Sequence, residues 1–244
     1  MNIPLSLKQT LPYRIARRAY HFPRSAQFRR WRLHWRRGAN AKLLTNYLAS
    51  HEVAKLQIGS GSNARAGWLN SDYLPEDSSQ FHLDATAAFE IPGGSFDMIF
   101  SEHMIEHISF QHGAAMLREC FRVMKPGGRI RISTPPMDFV IDLLRNPTQE
   151  HQRYIDWHME NWLPDLHHAC AAVVANDFVR NWGHLFIYDE STLRHSLQQA
   201  GFVQIQRKAL DESGIPELRG LENVDRMPAG LLELATMTLE AEKP

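Results

Sequence analysis

The chain has only two cysteines in 244 residues, Cys120 and Cys170, too few for a disulfide framework or a four-cysteine zinc site. That scarcity fits a reducing compartment. No apolar run reaches the length a bilayer-spanning helix needs, and none is followed by a small-residue cleavage site. There is no G-x-x-x-x-G-K-[ST] phosphate loop. A Gly-x-Gly turn at Gly59 and Gly61 lacks the third glycine of the dinucleotide-binding fingerprint, with Ala64 standing there. Finally, the first 51 residues contain no Asp or Glu at all.

That last absence splits the chain electrostatically. Residues 1–51 hold eleven Lys or Arg, so this segment carries +11, and the remainder carries 16 basic against 27 acidic groups, or −11. The whole is neutral, 43% apolar and 22% charged, the balance of a globular protein. We divide it into a basic N-terminal arm and leading helix, 1–52, and a main domain, 53–244. The arm interleaves Arg with Tyr20, Phe22, Phe28, Trp31 and Trp35 and has helical tendency from Arg24 to Arg37. Three fates fit it: an anionic membrane surface, an RNA bound through phosphates and stacked bases, or packing against the acidic remainder within one chain or a homodimer. The expected location is cytoplasmic, with the arm able to hold the protein at the inner membrane face.

The densest information lies between Lys55 and Asp72, KLQIGSGSNARAGWLNSD. A short apolar strand runs into the glycine turn, where backbone passes close to a ligand because no side chain obstructs it. Asp72 follows eleven positions after Gly61 and ends a second strand. A carboxylate there can accept hydrogen bonds from both hydroxyls of a ribose, so the segment suits a nucleoside-bearing cofactor.

Beyond it, strands and helices alternate. Strands are expected at Val53–Ile58, Trp68–Ser71, Phe81–Leu83, Phe96–Ser101 and Arg129–Ser133. An amphipathic helix is expected at Gly113–Met124, closed by the turn Lys125–Gly128. The alternation predicts an α/β fold with a parallel sheet and helices on both faces. Residues 137–181 break the rhythm. Rich in His, Trp and Tyr, they read as a helical, lid-like insertion after strand five, over the strand ends where open α/β sheets bind ligands. A helix at Ser191–Ala200 and strands at Phe202–Lys208 and Glu233–Glu242 finish the chain.

In its motifs the chain resembles the class I S-adenosylmethionine-dependent methyltransferases, in particular small bacterial ones associated with glycan biosynthesis. LQIGSGSN resembles the family's first motif, GWLNSD its second strand with the ribose-binding acid, HLDATA its third-strand end, and SFDMIFSEHMIEHI its fourth strand. CFRVMKPGGRIRISTP and WGHLFIYDESTLRHSLQQAGF resemble the later elements. The resemblance implies a Rossmann-like seven-stranded sheet with strand seven antiparallel between five and six. It implies S-adenosylmethionine as cofactor, S-adenosylhomocysteine as product, and cofactor contacts at Gly59, Ser60, Gly61, Asn63, Asp72, Tyr73, Asp84, Ala85, Ser101 and Glu102. Gln57 stands where the family has an acid that orients the methionine ammonium.

Other patterns carry less chemistry. His103 to His107 spells H-x-x-E-H, a zinc motif only if both histidines share one helical face. Here His103 falls in the turn after a strand, so no metal is expected. Ser133-Thr134-Pro135-Pro136-Met137 resembles the Pro-Pro motif of amine-methylating enzymes but follows strand five instead of four, which argues against nucleobase-amine or glutamine methylation. His107 and His184 are the candidate catalytic bases, since imidazole titrates near neutrality. The expected function is methyl transfer to an oxygen or nitrogen of a small molecule or saccharide. The alternatives are an RNA methyltransferase that uses the arm, and a degenerate cofactor-binding scaffold.

Overall fold

The computed structural model describes residues 38–166 and 168–244. The arm helix expected at Arg24 to Arg37, the arm's membrane, RNA or packing partner, and His167 lie outside them.

Helix α1 (Ala39–Ser50) ties the arm's end to the sheet. The buried Asn40 side chain donates to the His82 carbonyl and accepts from the His82 N–H. The Tyr47 hydroxyl takes the Lys55 N–H at 2.9 Å. The strands are β1 (Lys55–Ile58), β2 (Leu69–Asp72), β3 (Phe81–His82), β4 (Phe96–Glu102), β5 (Met124–Thr134), β6 (Val203–Lys208) and β7 (Met237–Glu242). They form one seven-stranded sheet in the order β3-β2-β1-β4-β5-β7-β6. β7 runs antiparallel to both β5 and β6, as expected. The remaining helices are α2 (Phe110–Val123), α3 (Met137–Arg145), α4 (Gln149–Trp162), α5 (Ala171–Arg180), α6 (Glu190–Ala200) and the short α7 (Leu231–Leu234).

Boundaries moved where local chemistry outweighs the apolar pattern. α2 starts three residues before the expected Gly113, because the Ser109 hydroxyl accepts the His112 N–H and caps it. The turn expected at Lys125–Gly128 lies inside the β5 run: Met124 already pairs with Phe96, the register then shifts, and Gly127 at φ +77° turns the chain. The last strand starts at Met237, not Glu233, because Leu231 to Leu234 form a helical turn that buries Leu231 and Leu232.

Period-two alternation sends the strands' side chains to two unlike faces. On one face Leu56, Ile58, Ile99, Ile130, Ile132 and Leu239 meet Met116, Leu117 and Cys120 of α2 and Leu193 and Leu197 of α6. Each such aliphatic side chain contributes about 1.5–3 kcal/mol by leaving water. The opposite face is covered by the connection 209–236. Leu218 and Leu221 pack there on Trp68 and Phe100, and beside them lies a buried polar cluster. In it Arg131 donates to both oxygens of Glu222 and to Glu240, and the Ser133 hydroxyl also donates to Glu222. The insertion has a core of its own, where Phe139 and Leu143 of α3, Tyr154 and Ile155 of α4 and Val174 and Phe178 of α5 pack with Leu231 of α7. α3 leaves directly from the end of β5, and the Met137 N–H is bonded to the Tyr188 carbonyl.

Candidate active site

Two cavities lie side by side at the strand ends. The first, about 380 Å³, is lined by Ile58, Gly59, Asp72, Tyr73, Leu83 and Asp84, then Ala85, Thr86, Met104, His107 and Ile108. Its floor is the turn after β1. The N–H groups of Gly59 and Ser60 both donate to the Ser71 carbonyl at 2.9 Å, folding the turn over the end of β2. Gly59 has φ +73°, and a Cβ built on it would come within 2.4 Å of Met104 Cγ. Only glycine fits that closeness without displacing a neighbour. Asp72 braces the same turn, its two carboxylate oxygens accepting the N–H groups of Gly61 and Leu74 at 3.0 and 2.8 Å. Each oxygen keeps a lone pair for a ligand hydroxyl.

Of the expected cofactor residues, Gly59, Asp72, Tyr73, Asp84 and Ala85 line this cavity. Ser60, Gly61, Asn63, Ser101 and Glu102 do not. Ser60 and Ser101 are buried with hydroxyls that have no hydrogen-bond partner among the described residues. Glu102 accepts the Asn223 N–H at 3.0 Å and lies 3.4 Å from the Arg226 guanidinium, which ties it to the connection 209–236. Asn63 takes the Gln57 side-chain N–H on its carbonyl. Gln57 itself is 2% exposed, and its Oε1 has no partner among the described residues. A buried amide oxygen of that kind costs about 1–3 kcal/mol unless something bonds to it. Gln57 stands beside the cavity and not among its lining residues; the fit to the cofactor rests on Gly59, whose missing side chain lets a ligand approach the backbone, and on the Asp72 carboxylate, both of which line it.

The second cavity, about 270 Å³, is lined by His103, Glu106, His107, Pro135, Tyr154 and His158, then Trp162, Phe178, Trp182, His184, Arg226, Met227 and Ala235. The insertion supplies its aromatic wall, with Trp162 and Trp182 edge to face at 4.3 Å between ring centres. His103 sits in the turn after β4 at φ +46° and Ile105 to His107 form a single 3-10 turn. Glu106 and His107 therefore precede α2 instead of beginning it, and the H-x-x-E-H residues do not share a helical face. His184 is brought to them by a sharp turn in which Trp182 and Gly183 both have positive φ. The N–H groups of Leu185 and Phe186 then clamp on the Glu106 carbonyl. The expected bases thus meet, with the His107 and His184 rings 5.0 Å apart.

Burial and neighbouring charges shift several groups of this wall. Glu106 is fully buried. Burial opposes its ionisation, yet the His103 and His107 imidazoles beside it hold its carboxyl below the usual carboxylate range. Burial pushes His184 below the ordinary imidazole value and Arg226 below its usual guanidinium value. A third histidine was not singled out as a base by the sequence. His158 of α4 is 2% exposed, its Nε2 lies 2.8 Å from Asp177 Oδ2 of α5, and its Nδ1 has no partner among the described residues. Asp177, nineteen residues away on another helix, left no local signal. His151, on the same helix as His158, caps α4 through Thr148.

A family model described as a methyltransferase domain matches residues 25–207, three-quarters of the chain. The chain belongs to that family of S-adenosylmethionine-dependent methyltransferases. Among solved structures, this methyltransferase is similar to a SAM-dependent methyltransferase from Thermotoga maritima, with 14% identity, TM-score 0.47 and coverage of 90% of this chain and 99% of that one. It is also similar to one from Archaeoglobus fulgidus, with 16% identity, TM-score 0.47 and coverage of 85% and 94%. Phosphoethanolamine N-methyltransferase 2 of Haemonchus contortus, solved with S-adenosyl-L-methionine, shows 14% identity and TM-score 0.43 over 84% of this chain and 52% of that one. No curated protein matches the chain.

Proposed function

We propose that the 380 Å³ cavity holds S-adenosylmethionine and that the 270 Å³ cavity holds the methyl acceptor, a small molecule or saccharide with a reactive oxygen or nitrogen. The observation that carries this reading is that His107 lines both cavities, so donor and acceptor meet beside it. Asp72 would hold the ribose, Gly59 would admit the cofactor close to the backbone, and the free Gln57 oxygen would accept from the methionine ammonium. The bound cofactor supplies an electrophilic methyl on a sulfonium. The chain's own contribution is orientation, which alone lowers such a barrier by several kcal/mol, and removal of the acceptor's proton where it carries one. Tyr154, Trp162 and Trp182 offer flat faces to an acceptor ring. His158, oriented by Asp177, provides an imidazole whose second nitrogen has no hydrogen-bond partner among the described residues, the arrangement of a base and its orienting carboxylate.

Calorimetric titration with S-adenosylhomocysteine tests the cofactor half. Micromolar binding that Asp72→Ala weakens at least tenfold is the expected result. A folded wild type that binds nothing would sink the reading.

The Gln57 assignment has its own test. Gln57→Leu should weaken S-adenosylhomocysteine binding about tenfold or more, the size of a hydrogen bond to a charged group. It should leave methylthioadenosine, which lacks the amino-acid end, unaffected. Equal weakening of both ligands would assign Gln57 to folding of the turn instead.

A further inference from the structure

We infer that Glu106, His107 and His184 form a binding site for one divalent transition-metal ion on the wall between the two cavities. Their ligand atoms all lie within 4.8 Å of one another, and Glu106 Oε1 is 4.0 Å from His107 Nε2. Metal bonds of about 2.0–2.2 Å bring such donors a little over 3 Å apart, so only small side-chain movements close the set.

The surroundings of each ligand support the assignment. Glu106 has no exposed surface, and its Oε2 accepts from the Thr134 hydroxyl at 3.0 Å. Its Oε1 meets no hydrogen-bond donor at full bonding geometry among the described residues. The His103 Nδ1 is 3.4 Å away from that oxygen, and His103 is held from its other side by the Thr236 hydroxyl at 2.9 Å. A fully buried carboxylate oxygen with its nearest donor at 3.4 Å is held only loosely, and an ion would satisfy it more fully. His184 donates its Nδ1 hydrogen to the Phe178 carbonyl at 2.6 Å. That bond fixes the tautomer and leaves the Nε2 lone pair for a ligand, the way metal-bound histidines are commonly held. The cluster is closed on the protein side and open to the 270 Å³ cavity, which Glu106, His107 and His184 all line. Two imidazoles and one carboxylate suit zinc, iron(II) or cobalt(II) rather than magnesium or calcium.

The sequence expectation of no metal weighed a zinc site built on one helix at His103 to His107, and found no carboxylate or thiolate partner at fixed spacing for the histidines of the insertion. The structure does not form that site, and instead recruits His184 from 77 positions beyond His107. A cation there would face the acceptor and polarise its oxygen. That role rests on the proposed methyl transfer, but the site itself does not.

The test is titration of the full-length, chelator-stripped protein with cobalt(II), followed by its visible absorption, with zinc(II) in competition and no cofactor present. The expected result is one ion per chain, bound at micromolar or tighter affinity and displaced by zinc. His184→Ala and His107→Ala should each weaken binding at least tenfold, with circular dichroism unchanged. His195→Ala, on the exposed face of α6, should not weaken it. Absence of stoichiometric binding, or binding indifferent to both cluster variants, would overturn the site and leave Glu106 as an ion-pair partner of the histidines. Binding of S-adenosylhomocysteine is measured separately, so failure of this site and failure of the methyltransferase reading give different results.

Discussion

Arg131→Met should cost about 3–5 kcal/mol of folding stability, the penalty for stranding the carboxylates of a buried ion pair. Against a total of about 5–15 kcal/mol for an ordinary domain, that brings the protein close to unfolding. Arg131 and Glu222 have no exposed side-chain surface, and Glu240 has 8%. The guanidinium also donates to the carbonyls of Ala209 and Glu212, so it fastens the connection 209–236 to the sheet. Burial opposes the charge on Arg131, but Glu222 and Glu240 outweigh it and hold the guanidinium above its usual value. Burial likewise opposes ionisation of Glu222, and Arg131 with Ser133 holds its carboxyl below the ordinary range. A depressed folded-state pKa stabilises the protein above the unfolded value of about 4.3. That stabilisation disappears as pH falls through the lower folded value. Asp211, raised by burial and by Glu222, acts in the opposite sense, so the comparison that isolates the pair is wild type against Glu222→Gln. The melting temperature of wild type should drop below pH 5 more steeply than that of Glu222→Gln. In denaturant unfolding, the double variant Arg131→Met/Glu222→Gln should lose less than the two single losses added together. Additive losses would mean that the two side chains act independently and would remove the cluster's claim to hold the connection.

The sheet was legible because its signals are local. Apolar strands, the glycine turn, the acid at Asp72 and the register of the later motifs each lie within a few residues, and period-two patterning carries the rest. The antiparallel β7 followed from a family resemblance and not from the pattern, since Met237 to Glu242 alone does not declare its direction. The candidate site was legible only in halves. Gly59, Asp72 and Asp84 announce themselves by position along the chain, while the wall of the 270 Å³ cavity is assembled from α4, α5, the 182–186 turn and the connection 209–236. Arg226 and the Asp177 partner of His158 become meaningful only once those segments meet. Glu102, expected beside the cofactor's methionine end, also meets the connection, where it accepts the Asn223 N–H and lies 3.4 Å from the Arg226 guanidinium. Gln57 is the reverse case. As a departure from the family pattern it suggested a degenerate site, whereas its buried oxygen, unpaired among the described residues, is what the proposed contact to the methionine ammonium rests on.

Gly59→Ala should lower S-adenosylhomocysteine affinity by about 100-fold or more while the protein stays folded. Two costs combine at this position. The left-handed backbone at φ +73° costs a residue with a Cβ about 1–2 kcal/mol. The new methyl also falls 2.4 and 2.7 Å from Met104 Cγ and Cβ. The second contact is at the root of the Met104 side chain, so a rotamer change does not relieve it, and the turn or the loop after β4 must move. Both line the cofactor cavity. A shift adding about 2.7 kcal/mol to the bound state gives the 100-fold loss. Gly61→Ala separates the two costs. Gly61 also has positive φ, +48°, but no atom lies within 4 Å of its built Cβ, so it carries the backbone strain without the collision. It should lower stability by about 1–2 kcal/mol and weaken product binding far less than Gly59→Ala does. Equal loss of binding in the two variants would make backbone strain the whole effect. Full binding by Gly59→Ala would place the cofactor away from this turn, since a ligand seated over Gly59 and beside Met104 cannot tolerate the displacement that the methyl group forces.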